Sequence, residues 1–214
     1  MKSNGEKADT KCALPWIHIA TKPNGSVRPC CISGFSSYYG TARINDFKNQ
    51  IYKHPLSEIL YSEALSSIRQ DMILGREPQS CKVCFKAEKR GAPSKRIMEN
   101  EKWKIDFKKP ALKYLDLRLS STCNLSCMTC SAGESSSWVR DSIDYVSQTK
   151  DPNILNFLKN SLQEVSEDFS SKEIFWESFE ECLPQIEEIY FAGGEPLIHK
   201  DHERCLDLIF RKGL

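Results

Sequence analysis

The stretch Leu112-Lys113-Tyr114-Leu115-Asp116-Leu117-Arg118-Leu119-Ser120-Ser121-Thr122-Cys123-Asn124-Leu125-Ser126-Cys127-Met128-Thr129-Cys130 decides the reading of this chain. Its first eight residues alternate in polarity as a β-strand requires, and three cysteines follow at the spacing Cys-x3-Cys-x2-Cys. Chance would supply that triplet roughly twice in a hundred chains of this composition. A cysteine-rich loop directly after a strand sits on the edge where α/β sheets build their sites.

Outward from it, the pattern is strand, loop, helices, strand, loop, helix. Helices are expected over 135–146, 153–164 and 172–182, a second strand over 186–191, and a further helix over 205–210. About 55 residues between the two strands leave room for a crossover between parallel neighbours. The second strand runs into Ala192-Gly193-Gly194-Glu195-Pro196. Upstream, Pro23-Asn24-Gly25 between two short β-favouring runs, 16–20 and 26–28, signals a hairpin that brings Cys12 and Cys30 toward one open end. Apolar residues from Leu56 to Ile73 recur at helical spacing until Gly75, and the chain then reaches Cys81-Lys82-Val83-Cys84, where a two-residue gap lets both thiols face one metal or cluster. The domains expected are 1–98 and 111–214, joined over 99–110 by a Lys- and Glu-rich stretch closing on Pro110 that reads as an exposed connection.

Composition narrows the chemistry. The chain has 214 residues, enough for two small domains, and 30 Lys+Arg against 29 Asp+Glu give a formal charge of +1, so no basic field indicates nucleic acid. Residues 1–7 lack the apolar run of a secretory signal, and no stretch reaches the about 18 apolar residues of a membrane span, so a cytoplasmic protein is expected. In a reducing compartment, 10 cysteines are better read as metal ligands or redox centres than as disulfides. Three thiolates hold three irons of a [4Fe-4S] cluster and leave the fourth iron open to a ligand.

On the triplet Cys123, Cys127 and Cys130 and on Gly193-Gly194-Glu195, the chain resembles the radical SAM superfamily, in which such a triplet follows the first barrel strand and a Gly-Gly-Glu follows the second. The resemblance implies an α/β fold, the N-terminal portion of a (β/α)6 partial TIM barrel. It also implies a SAM-binding [4Fe-4S] cluster on those cysteines, with S-adenosylmethionine on the open iron, its amino group held by the loop of Gly193, Gly194 and Glu195, and Thr129 beside the adenine. Thr129 departs from the pattern, because the residue before the third cysteine is usually aromatic there. The chemistry implied is reductive cleavage of S-adenosylmethionine to a 5′-deoxyadenosyl radical that abstracts a substrate hydrogen.

The first segment resembles the SPASM modules of the same superfamily, and their shortened twitch form. Their opening signature is met by Cys12, twelve residues, Gly25, four residues and Cys30, with Cys81 and Cys84 as the later pair. The resemblance implies a small α+β module with a β-hairpin holding an auxiliary [4Fe-4S] cluster on Cys12, Cys30, Cys81 and Cys84, Cys31 being a rival to Cys30. It further implies a reductant such as flavodoxin or ferredoxin and, at family level, a peptide substrate. Because residues 211–214 stand where a third strand is expected, the remainder of the barrel is expected downstream or on a separate chain. Two other classes stay open: a non-catalytic two-cluster electron-transfer or scaffold protein, and a zinc protein pairing Cys81/Cys84 with Cys127/Cys130. Cys182 and Cys205 are expected to be buried and structural, His199 and His202 to be surface residues, Ser135 to Ser137 to cap a helix, and residues 86–96 to form a solvated basic face.

Overall fold

The computed structural model describes residues 9–33, 51–165 and 169–213; residues 1–7 and Leu214, read above for a leader and for the chain end, lie outside them. The elements in chain order are α1 (Leu14–Ile17), β1 (His18–Thr21), β2 (Val27–Arg28), α2 (Leu56–Leu60), α3 (Glu63–Ile73), α4 (Lys82–Lys89), α5 (Lys95–Lys102), β3 (Tyr114–Leu117), α6 (Val139–Gln148), α7 (Pro152–Gln163), α8 (Glu173–Cys182), β4 (Glu188–Phe191) and α9 (Lys200–Arg211). The architecture is mixed α/β. Four strands form one sheet in the order β2-β1-β3-β4.

β1 and β2 are the expected antiparallel hairpin, with Ala20 opposite Arg28 and Thr21 opposite Val27. Its turn is closed by Lys22 N donating to Ser26 O at 2.8 Å and by Asn24 Oδ1 accepting from Ser26 N at 3.0 Å. The first strand is shorter than its pattern suggests: Trp16 and Ile17 lie in α1, with Pro15 in its first turn, where a missing N–H costs nothing. β1 also runs parallel to β3, with His18 opposite Tyr114 and Ala20 opposite Asp116, and β3 runs parallel to β4, with Asp116 opposite Tyr190. One sheet therefore takes strands from both segments.

The apolar run from Leu56 to Ile73 is two helices rather than one. Ser62 is extended (φ −56°, ψ 153°) and starts α3 afresh. The break frees the carbonyl of Leu60, which accepts from Arg69 Nη1 at 2.9 Å, while the same nitrogen donates to Pro15 O at 2.8 Å. A buried guanidinium thus supplies the partner that helix continuation would have supplied. The stretch 99–110, read as an exposed connection, begins inside α5 and buries Trp103, whose Nε1 donates to Glu99 at 3.1 Å. The helix expected over 205–210 extends from 200, because His199 caps it by accepting from Asp201 N.

Alternation along the strands gives the sheet two different faces. Ile19, Val27, Leu115 and Leu117 enter the larger core with Leu56 and Ile59 of α2, Phe175 and Phe179 of α8, and Cys205 of α9. Each such fully buried side chain contributes roughly 1.5–3 kcal/mol. Cys182 and Cys205 are buried in this core. A second cluster around Trp16, Leu65 and Met72 packs α1 against α3. The opposite sheet face carries His18, Arg28, Tyr114 and Asp116. No helix among the described residues is long and apolar enough to cross a membrane.

Candidate iron–sulfur centres

Cys12, just before α1, and Cys30, just after β2, meet at the end of the sheet where β1 begins. Cys81 closes a 3-10 turn (Gln79–Cys81), and Cys84 sits in the first turn of α4. All four thiols line one cavity together with Pro29, Met72, Lys95 and Arg96; Cys31 is not in its wall. The groups feel one another. Burial pushes the Cys12 thiol up to about 12, with Cys81 and Cys84 adding to the effect and Arg96 opposing it. Burial likewise raises Cys81 to about 11 and Cys30 well above the ordinary thiol range, Cys30 being further raised by Cys81 and Cys12. Four thiolates in such a cavity need a cationic core to ligate, and Arg96 offsets part of the charge at Cys12, Cys81 and Cys84. The donor set fits a closed [4Fe-4S] cluster.

The stretch read as a solvated basic face builds this site. Arg96 binds Glu88 with two nitrogens (2.9 and 2.6 Å) and lies 5.2 Å from the Phe85 ring centroid. Its Nη1 donates to Lys11 O at 2.8 Å, and Asn100 Nδ2 donates to the same oxygen at 2.9 Å while its Oδ1 accepts from Ala13 N at 2.7 Å. Both neighbours of Cys12 are thereby fixed from α5. Sequence reading missed Arg96 and Asn100; the signal was their position, four residues apart and so on one helix face.

The second site lies at the opposite end of the strands, β3 at four residues being roughly 13 Å long. Cys123, Cys127 and Cys130 occupy the loop after β3, with Cys127 exposed and the other two half-buried. Burial raises the Cys130 thiol, and the nearby Cys127 and Cys123 add to it. The loop is held by its backbone. Cys130 N donates to Cys127 O at 3.0 Å, and Leu125 N donates to the Cys123 sulfur at 3.4 Å. Ser137 Oγ donates to Cys123 O, Ser135 Oγ to Leu125 O (both 2.8 Å), and Trp138 Nε1 to Cys127 O at 2.9 Å. These serines bind loop carbonyls and do not cap the helix as expected. Thr129 and Met128 are exposed at the tip.

The loop after β4 docks onto this one. Gly194 N donates to Glu134 O at 3.0 Å and Glu195 N to Thr122 O at 2.8 Å. Gly193 and Gly194 have φ of +75° and +59°, and a Cβ on Gly194 would stand 2.3 Å from Thr122 O. The glycines allow the two loops to touch, since no other residue supplies both the left-handed conformation and the space. Glu195 Oε1 accepts from Leu197 N at 3.1 Å, capping the short 3-10 turn Pro196–Ile198.

His199 is buried at the start of α9 rather than on the surface, and His202 is half-buried, meeting Phe191 edge-on at 4.6 Å. Among the described residues no three His, Cys, Asp or Glu side chains converge as ligands of a single ion. The zinc pairing of Cys81/Cys84 with Cys127/Cys130 is not assembled, because the two pairs lie at opposite ends of the sheet.

No curated protein and no solved structure matches the chain. Residues 12–85, the segment that brings Cys12, Cys30, Cys81 and Cys84 to one cavity, match the family model of SPASM, an iron–sulfur cluster-binding domain.

Proposed function

We propose that the chain is the two-cluster part of a radical SAM enzyme: an auxiliary [4Fe-4S] cluster on Cys12, Cys30, Cys81 and Cys84, and a SAM-binding [4Fe-4S] cluster on Cys123, Cys127 and Cys130. The observation that carries the reading is the docking of the Gly193-Gly194-Glu195 loop onto the three-cysteine loop at the ends of two adjacent parallel strands. β3 and β4 are then the first two strands of a partial barrel. When bound, the cluster supplies the electron that cleaves S-adenosylmethionine to methionine and a 5′-deoxyadenosyl radical. The chain's own contribution is positional. Three cysteines leave one iron for the methionine end of the cofactor, and Glu195 offers a carboxylate to its ammonium. The serines and Trp138 remove freedom from the cysteine loop before anything binds. The four-cysteine site has no open ligand position, which suits electron relay or bracing.

The test is anaerobic reconstitution with iron and sulfide, followed by S-adenosylmethionine and dithionite. Formation of 5′-deoxyadenosine with two clusters per chain is expected. Two clusters without that product would leave a non-catalytic two-cluster protein and overturn the enzyme reading.

A further inference from the structure

The rims of the two thiol sites carry opposite charge. Val83, in the first turn of α4, lines the four-cysteine cavity and is still 37% exposed, so a single side chain spans from the thiols to solvent. Lys86 and Arg90 follow Lys82 at i+4 and i+8, which lays the three on one helix face, with Val83 one turn before Lys86. None of the three has an ion-pair partner among the described residues. Their charged neighbours cancel: Lys89 pairs with Glu77 at 2.8 Å, Arg76 with Asp71 at 2.7 Å, and Asp9 and Lys11 before Cys12 are one of each sign. The Lys89–Glu77 pair also ties α4 to the segment after α3, where Ile73 and Leu74 stand exposed directly after Met72 of the cavity wall.

Inside the wall, Lys95 and Arg96 are held by Glu99 and Glu88 at 2.9 and 2.6 Å, so they add nothing to this surplus. A bound four-thiolate cluster brings about two negative charges, fewer than Lys82, Lys86 and Arg90 supply, and it lies behind Val83 whereas they reach water. The three-cysteine rim is the reverse. Glu134 and Glu195 flank its loop, and Asp141 and Asp144 follow on α6, against Arg140 and Lys200. Arg118 is matched there by Asp116 at 3.7 Å, and Lys22 by Glu164 at 2.5 Å. With Glu195 neutralised by an ammonium, that rim is still negative. Cys127 is exposed, so charge rather than depth separates the two sites for an approaching protein.

We infer that an acidic one-electron carrier protein docks on α4 over Val83, with Lys82, Lys86 and Arg90 against its carboxylates, and delivers its electron at the four-cysteine site rather than at the three-cysteine loop. The inference rests on the two-cluster reading. One electron leaves the carrier, which is oxidised by one unit, and reduces the four-cysteine cluster by one; no bond forms or breaks. Like charge turns the same carrier away from the three-cysteine rim, where it would also stand in the path of the entering cofactor. Val83, Ile73 and Leu74 give the contact an apolar centre, and the cations at its edge steer the approach.

The probe is flavodoxin, an acidic flavoprotein, photoreduced to its hydroquinone so that no dithionite is present. Against the reconstituted full chain, its one-electron oxidation to the semiquinone is followed by stopped flow and its binding by calorimetry, each at low and high salt. Saturable binding that weakens steeply with salt is expected. Lys86→Glu should weaken it about tenfold and slow semiquinone formation to match, at unchanged iron content and melting temperature. Asp144→Lys, on the other rim, should leave both unchanged. The Cys127→Ala protein, which keeps the four-cysteine site, should still oxidise the hydroquinone at the parent rate. Binding without salt dependence, a Lys86→Glu protein that binds as tightly as the parent, faster transfer to Asp144→Lys, or loss of transfer to Cys127→Ala would each overturn the proposal. Iron content and dithionite-driven 5′-deoxyadenosine formation are read on the same preparations, so failure here is distinct from failure of the two-cluster reading.

Discussion

The two cysteine sites are built in opposite ways from the same residue type. Around Cys12, Cys30, Cys81 and Cys84 the thiols come from three separate places in the chain, Cys81 and Cys84 sharing one, and side chains of α5 reach across to fix the backbone on either side of Cys12. Around Cys123, Cys127 and Cys130 the thiols share one short loop, Cys127 is exposed, and the loop's own carbonyls are the anchored groups. The first arrangement buries its ligands and depends on tertiary structure; the second presents them and depends on local hydrogen bonds. A closed site has nothing to admit, whereas a site that receives a cofactor must keep one side open. The difference predicts which substitutions harm one site and spare the other.

The sharpest separation is expected from Cys127→Ala. It should reduce 5′-deoxyadenosine formation to background while about half the iron, that of the four-cysteine site, remains on the protein. Equal loss of iron from both sites, by iron and sulfide analysis against the Cys84→Ala protein, would mean the two centres assemble as one.

Next is Gly194→Ala, which places a methyl group on a residue at φ +59° whose Cβ would stand 2.3 Å from Thr122 O. Strain and clash together should cost about 3 kcal/mol in urea unfolding, with affinity for S-adenosylmethionine lost. The iron of the four-cysteine site should be retained, because the contact lies at the far end of the strands. Unchanged affinity would show that the two loops need not touch.

Arg96→Ala reverses the pattern. It removes a two-point ion pair with Glu88 and the donor to Lys11 O, so the segment carrying Cys12 loosens. A cost of about 2 kcal/mol is expected, with iron lost first from the four-cysteine site. Arg96→Lys should restore part of it, since a single ammonium cannot hold both carboxylate and carbonyl in the same geometry.

How much of this was legible beforehand follows from how local each signal is. The β3 strand, its cysteine loop, the hairpin around Asn24-Gly25 and the glycine pair were readable because each is encoded within about ten residues. The break between α2 and α3 was not, since it depends on Arg69 reaching carbonyls of Leu60 and Pro15, the latter 54 positions away. Nor was the parallel pairing of β1 with β3, which joins segments separated by nearly half the chain. Basic residues over 86–96 were read as solvated because charge usually is; Arg96 is instead a bridge whose partners lie 85 and 87 positions away. The four cysteine positions of the first site were visible as spacing, but the choice of Cys30 over Cys31 in the cavity wall needed the hairpin's geometry.

The smallest effect tests whether the open site is preorganised. Ser137 Oγ donates to Cys123 O at 2.8 Å, and Trp138 Nε1 donates to Cys127 O at 2.9 Å. Neither touches a sulfur, so neither substitution should remove iron. Ser137→Ala or Trp138→Phe each deletes one neutral hydrogen bond, worth about 1 kcal/mol, from a loop also held by Ser135, Ser136 and the Glu195 amide. If those bonds hold the loop ready, the loss should appear as about fivefold weaker affinity for S-adenosylmethionine at unchanged iron content and unchanged melting temperature of the four-cysteine domain. Because the two donors restrain different cysteines of one loop, the double variant should lose more than the sum of the singles. Additive losses would mean that each serves its own peptide and that the loop is stiff without them.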